Sequence, residues 1–494
     1  MVLARAITVG SVAIPVTVAV KSAADLAAAR NDVHAAVGSG EMSPWGGADV
    51  EYRHHPVGPL APLPPSLHPD GRGRRWGACI EPGPAADTAI AAGPQPVSGA
   101  ASLVEVGAAN QLEVCCHTNS AALVRTWYWP TASSSAKNSS AWKPTNAANT
   151  AKTRIADAGD GRGWSYQFEV ATTDGASSVM DTVVRRVPAY PARGQVSAFT
   201  FAHGSCRQIG TEAATLQRVA NSGAVFFAML GDMGYWDTKP TGQDYAHYVT
   251  EFREFMSFGQ IRPLLDRMPI FGMQDDHDYG VNDANANTVA NMLYTARAFA
   301  DIVPGTLYPA DSYRHWSVGQ TDFWLLDNRR YKDPKTGPYQ NGRWMSVLRQ
   351  KQRDWLLGGL AASTARVKVI LAPMTFSWHW SSGEKHLVLD YIKANVKGTV
   401  LIGSGDKHAG GFTVWDGRVR EMLAAPIHNN VKARTPAISD PRCKILYVEQ
   451  YPLGSAALFN AVGLVDVDPG NGTVTQRLVR DTGQLLHAEV IRIA

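Results

Sequence analysis

The stretch Phe226–Asp237, FFAMLGDMGYWD, constrains this chain more than any other. Its apolar run, Phe226 to Leu230, suits a short strand buried on both faces, as at the centre of a layered α/β fold. The run stops abruptly at Gly231-Asp232, and Tyr235 follows on the loop. Ligands and metals bind at the carboxyl ends of such strands. A carboxylate there, beside a glycine that carries no side chain, can present an oxygen to a metal. The same Asp could instead cap the next helix, and the stretch alone leaves both readings open.

At 494 residues the chain is too long for one ordinary core. With 45% hydrophobic and 18% charged residues it reads as soluble and globular. No apolar run reaches transmembrane length. A net charge of +4 is small for this size, and the one tight basic cluster (Arg72, Arg74, Arg75) lies in a Gly/Pro-rich loop, so nucleic acid binding is not indicated. The cysteines, Cys79, Cys115, Cys116, Cys206 and Cys443, form no CxxC pair, which argues against a zinc ribbon or dithiol redox site. Cys115 and Cys116 read as small buried strand residues.

Three segments differ in character. Residues 1–99 combine a strand pair and a helix, Ala23–Ala36, with a Pro/Gly-rich stretch containing PLAPLPPSLHP. A cleaved signal is the alternative for residues 1–20, although Gly10 and Pro15 interrupt the apolar run. Residues 100–194 carry short strands at Leu112–Cys116, Leu123–Trp129, Trp164–Val170 and Asp181–Val187, separated by polar loops, the pattern of a small antiparallel β-sandwich. From 195 to 494, helical stretches at Glu212–Ser222, Asp244–Asp266 and Thr288–Ile302 alternate with apolar strands, which predicts an α/β domain with a mixed sheet.

Four predicted strands of this last segment end in polar loops: FAHGSCRQ (201–208), LGDMGY (230–235), QDDHDYGVN (274–282) and GSGDKH (403–408). Carboxylates crowded around a His, as in Asp275-Asp276-His277-Asp278, repel one another unless cations neutralise them. Each loop alone could be a polar turn. Loops at one edge of a sheet converge in space, so together they predict a metal site.

The ordered set SC, GDxxY, DDHD, LDNRRY (326–331) and GDKH resembles the alkaline phosphatase D (PhoD-like) branch of the calcineurin-like metallophosphoesterases, over roughly residues 100–480. The resemblance implies a four-layer αββα sandwich with mixed sheets, preceded by the small β-sandwich. It implies a phosphoric ester hydrolase that uses a metal-bound hydroxide for in-line attack on phosphate monoesters, diesters or both. A phosphodiesterase or phospholipase D-like specificity is the alternative within the family; a non-catalytic surface or assembly protein retaining the fold is the alternative outside it.

Carried over by position, Cys206, Asp232 and Tyr235 match the family's ferric-iron ligands, and a thiolate with a phenolate suits Fe(3+). Asp232 would bridge to a second ion, Ca(2+) or alternatively Mg or Mn, with Asp276 and Asp406 as oxygen ligands. His408 closes the last motif and would complete the iron site, and His277 matches the family's catalytic His, placed to protonate the leaving alkoxide or to hold the phosphoryl oxygen. Arg207 and Asn282 are the candidates for substrate contact, with a surface role as the alternative for Arg207. Asp275 and Asp278 read as supports of the ligands, and Asp327 with Arg329 as an ion pair. Trp378, His379 and Trp380 could wall a leaving-group pocket or simply pack, and His379 or His386 could add a ligand, though the motifs do not demand it. By resemblance the protein is periplasmic or secreted, yet no twin-arginine signal is found.

Overall fold

The computed structural model describes residues 2–9, 12–19, 93–106, 109–155, 161–208, 213–235, 244–284, 292–306, 311–333, 339–340, 343–344, 346–430, 438–449 and 458–494. The predicted helix Ala23–Ala36, the Pro-rich run and Cys79 lie outside these residues. The first strands, Val2–Val9 and Val12–Ala19, form an antiparallel pair as the sequence suggested.

Two sheets make the middle of the fold. The first contains β1 (Phe199–Gly204), β2 (Ala224–Leu230), β3 (Ile270–Met273), and the later strands Ala461–Asp468, Thr473–Arg480 and Leu485–Arg492. β1, β2 and β3 run parallel, while Ala461–Asp468 pairs antiparallel with the other side of β1. The second sheet contains β4 (Arg314–Val318), β5 (Thr321–Leu325), β6 (Val367–Ala372), β7 (Thr399–Ser404), β8 (Gly410–Trp415), β9 (Val419–Ala424) and β10 (Cys443–Val448), in the order β4-β5-β6-β7-β9-β8-β10. β5, β6 and β7 are mutually parallel.

Side-chain alternation along β2 explains why these sheets stack. Phe226, Ala228 and Leu230 face the core between the sheets, while Phe227 and Met229 face a second core. The first is closed by an aromatic bridge: Phe226 stacks on Phe201 at 5.4 Å and meets Phe323 of the other sheet edge-on at 5.1 Å. Such contacts add about 0.5–1.5 kcal/mol each beyond the area they bury. The second core is covered by the helices Ala213–Ala220, Tyr245–Ser257 and Met292–Ile302. On the far face of the other sheet, Arg349–Ala362 and Ser382–Asn395 cover a third cluster around Leu356, Ile370 and Ile402. The layers are therefore helix, sheet, sheet, helix, as expected.

The predicted helix Asp244–Asp266 is broken. It ends at Ser257 and resumes as the short turn Arg262–Leu265, because Gly259 and Pro263 interrupt its hydrogen bonding. Asp244, not Asp232, caps it: its carboxylate accepts from the His247 N–H at 2.9 Å.

Before these sheets stand two antiparallel ones, Pro96–Val106/Ala109–Thr118/Thr150–Ile155 and a second centred on Leu123–Pro130 and Trp164–Ala171. Cys115 and Cys116 are fully buried there, as read from the sequence. Polar groups dock these sheets on the helices. Arg253 donates to the carbonyls of Thr118 and Ala148, both at 2.6 Å, Glu113 accepts from Gly305 N–H at 2.7 Å, and His117 Nε2 lies 3.1 Å from the Ile302 carbonyl. Among the described residues no helix is long and apolar enough to cross a membrane.

Two buried histidines make the fold acid-sensitive. Burial pushes His117 and His203 down from 6.5 to about 3. Between those values the unfolded chain binds protons that the folded chain refuses, so stability falls as pH drops through the window. Near pH 5 each His should cost about 2 kcal/mol relative to neutral pH. His203 has no hydrogen-bond partner at either ring nitrogen among the described residues. His203→Met should therefore flatten the pH dependence of unfolding in urea without losing a bond; an unchanged slope between pH 7 and 5 would count against it.

Candidate metal centre

All the candidate ligands follow carboxyl ends of parallel strands. Cys206 follows β1, Asp232 follows β2, Asp276 follows β3 and Asp406 follows β7. Because the two sheets stack, their loops meet over the shared core.

The turns at these ends are tight. Cys206, Asp232 and Asp406 adopt φ of 60°, 51° and 67°, a left-handed backbone that costs non-glycine residues about 1–3 kcal/mol each. Gly231 has φ of 80°, and a Cβ on it would lie 2.3 Å from Asp275 Cβ. The glycine is needed both for its conformation and for this close approach. Asp278 supports the same loop: its carboxylate accepts from the N–H groups of Asp232 at 2.7 Å, Met233 at 2.9 Å and Asp275 at 2.9 Å. The motif's fourth residue thus holds backbone, in line with the supporting role read for it.

Three groups of potential donors cluster, each with ligand atoms within 4.8 Å of one another. One joins Cys206, Asp232 and His408; the second Asp232, Asp276 and His277; the third Asp275, Asp276 and Asp406. Tyr235 belongs with the first, since its hydroxyl donates to Asp232 Oδ2 at 3.0 Å and lies 2.6 Å from His408 Nε2. Asp232 is common to two groups, and its other oxygen accepts from the His277 N–H at 3.3 Å. The His277 ring lies 4.4 Å from that of Tyr235.

Electrostatics make this an unstable place for bare anions. Burial, then the carboxylates of Asp276 and Asp278, push the Asp232 carboxyl well above the usual range. Burial and the charges of Asp232 and Asp406 do the same to the Cys206 thiol, and burial with Asp232 to the Tyr235 phenol. Asp278 rises to about 7 through burial, held back by the backbone N–H groups it accepts from. Asp276 Oδ1 is buried with no hydrogen-bond partner among the described residues. An orphaned buried carboxylate oxygen, beside a thiol, a phenol and an imidazole that would all gain from a cation, fits metal ions at this site.

Other residues depart from expectation. Arg329 does not pair with Asp327 in the contacts observed; it reaches Asp275, Asp276 and Asp406, while Asp327 accepts from Ser312 and the Arg330 N–H. The strand-end pair read from LDNRRY is corrected, because Arg329 turns inward over the acidic loops. Arg207 is fully buried, its guanidinium 5.1 Å from the Phe255 ring centre and 5.7 Å from that of Phe258. This excludes a surface role, and a phosphate fork does not fit a guanidinium closed off from solvent. Asn282 is exposed on the turn after the one-turn helix Asp276–Tyr279. Trp380 packs against Phe376 in the third core, whereas Trp378 lies against the cluster of Cys206, Ala409, Leu423 and Ala425. His386 pairs with Asp440 at 2.8 Å, in a separate surface network. The other histidine offered as an extra ligand, His379, has its Nδ1 2.7 Å from Asp406 Oδ2.

The model of the PhoD-like phosphatase family matches residues 201–432. Among solved structures, one described as the structure of PhoD aligns with a TM-score of 0.64 at 16% identity, covering 80% of this chain and 89% of that one. A purple acid phosphatase from yellow lupin (Lupinus luteus) seeds aligns with a TM-score of 0.54 at 11% identity, covering 80% of this chain and 74% of its own. No curated protein matches the sequence. At these identities the structural likeness speaks for the fold alone, a four-layer αββα sandwich with an N-terminal β domain. The family match takes in Cys206, Asp232, Asp276, Arg329 and Asp406 together, and over residues 201–432 the chain is similar to the PhoD-like phosphatases.

Proposed function

We propose that this site hydrolyses phosphate monoesters, diesters or both, with Fe(3+) held by Cys206, Asp232, Tyr235 and His408. A second ion, Ca(2+) or alternatively Mg or Mn, is held beside it by Asp232 and Asp276; Asp406, read from the sequence as a further ligand, instead supports the site, its oxygens engaged by Arg329 and His379. The observation that carries the reading is Asp232, whose carboxylate is shared by two donor groups drawn from the strand ends of both sheets. The bound cations supply Lewis acidity toward the phosphoryl oxygens and make water a usable nucleophile at neutral pH.

The chain's own residues do the rest. His277, half-buried at the start of its helix, donates a ring-nitrogen proton to the leaving alkoxide. The His277 backbone N–H donates to Asp232 Oδ1 at 3.3 Å, which ties the acid to the metal ligand. Asn282, exposed beside the acidic turn, contacts the substrate. Trp378, half-buried against the Cys206 cluster, lines one side. We also propose the division into 1–99, 100–194 and 195–494, with the middle part bracing the helices Tyr245–Ser257 and Met292–Ile302 that cover the first sheet. Phosphodiesterase or phospholipase D-like specificity remains the second reading, since both arise on one such centre.

Thiolate and phenolate bound to ferric iron should give the purified protein a visible charge-transfer band. Elemental analysis with a panel of nitrophenyl mono- and diesters tests the whole proposal. A colourless, iron-free enzyme of full activity would sink the Cys206–Tyr235 assignment. A coloured protein that turns over no ester would favour the non-catalytic alternative.

A further inference from the structure

The third acidic group differs from the other two in already containing a cation. Asp275, Asp276 and Asp406 each offer a carboxylate oxygen within 4.8 Å of the others, and all three pair with the guanidinium of Arg329. Its Nε pairs with Asp275 Oδ1, and its Nη2 stands 2.8 Å from Asp406 Oδ1 and 3.4 Å from Asp276 Oδ2. Nη1 lies 3.7 Å from a further carboxylate, Asp283 Oδ1. The Arg329 side chain is 1% exposed, so solvent does not screen these pairs.

We infer that Arg329 is the resident cation of this third group, so that metal ions enter only the two groups sharing Asp232. The inference rests on the metal-centre reading above and adds to it a limit on how many ions bind. Arg keeps its charge at any pH a protein survives, and its planar fork meets several carboxylates at once. It holds one oxygen from each of the three carboxylates: Asp275 Oδ1, Asp276 Oδ2 and Asp406 Oδ1. Of the oxygens left over, Asp406 Oδ2 is engaged by His379 Nδ1 at 2.7 Å, while Asp275 Oδ2 and Asp276 Oδ1 are buried with no hydrogen-bond partner among the described residues, and Asp276 Oδ1 is available to the neighbouring group. Arg329 is thus a positioning residue. It fixes Asp276 and Asp406 before metal arrives, and it keeps repelling carboxylates together when metal leaves.

The test counts ions on the whole protein and melts it with and without calcium chloride. Wild type should carry two ions per chain by native mass spectrometry and elemental analysis. Arg329→Met, which keeps the length but removes the charge, should take up one more divalent cation. Its unfolding temperature should also rise further on adding calcium than that of wild type. Arg329→Lys should resemble wild type in both measurements. Three ions in wild type, or an equal calcium-induced rise in wild type and Arg329→Met, overturns the inference while leaving the metal centre intact. No bound ion at all would refute the centre itself. Should Arg329→Met fail to fold, the wild-type ion count still decides.

Discussion

Asp232→Asn should abolish ester turnover and strip the protein of metal together. Loss of a residue that merely orients a ligand costs about 10–100-fold in activity or affinity. Asp232 stands in both donor groups, so its loss should exceed the top of that range. Asn is the informative replacement. It tolerates the left-handed backbone at this position, where φ is 51°, better than most residues. The loop itself is held by Asp278 through the backbone N–H groups of Asp232 and Met233, which the substitution leaves in place. The variant should fold, melt cooperatively and lose its visible band. Retention of both ions with activity within tenfold of wild type would remove Asp232 from the centre.

His277→Ala has the second largest expected effect, and its size should depend on the substrate. A general acid contributes about 10²–10⁴-fold where the leaving group needs a proton. Turnover of alkyl phosphates should fall by that amount, while nitrophenyl esters, whose leaving group departs unprotonated, should lose far less. The geometry allows a rival role, because a ring nitrogen of His277 lies within 4.8 Å of ligand oxygens on Asp232 and Asp276. A ligand's loss would slow every substrate alike and release metal. Leaving-group dependence of kcat, measured with ion content, separates the two.

The strands that carry the site were legible because they are buried on both faces and end at turn residues. Ile270–Met273 lies between Pro269 and Gln274-Asp275, with all four of its residues buried. Strands with polar or irregular faces were not legible. Arg314–Val318 and Leu485–Arg492 are edge strands with mixed sequences, and Gly410–Trp415 opens with two glycines. The helices Arg349–Ala362 and Ser382–Asn395 escaped for a related reason, since their apolar residues are few and scattered between charged ones. At the site, motif spacing pointed to the donors but not to their partners. Arg329 lies 54 residues from Asp275 and 77 from Asp406, and nothing local distinguishes its inward turn from a pair with Asp327. Arg207 adjoins Cys206 in sequence, yet the backbone turn at Cys206 sends it among phenyl rings.

By itself the sequence determined the layered fold, the strand ends and the kinds of donor placed there, because burial pattern and residue chemistry are local. Only the tertiary structure decided which donors meet. Parallel strands from two stacked sheets bring Tyr235 within 2.6 Å of His408 across 173 residues of chain. The same stacking makes Asp232 common to two groups and gives the third group to Arg329. Those choices follow from where the sheets set their edges, and spacing along one chain does not encode that distance.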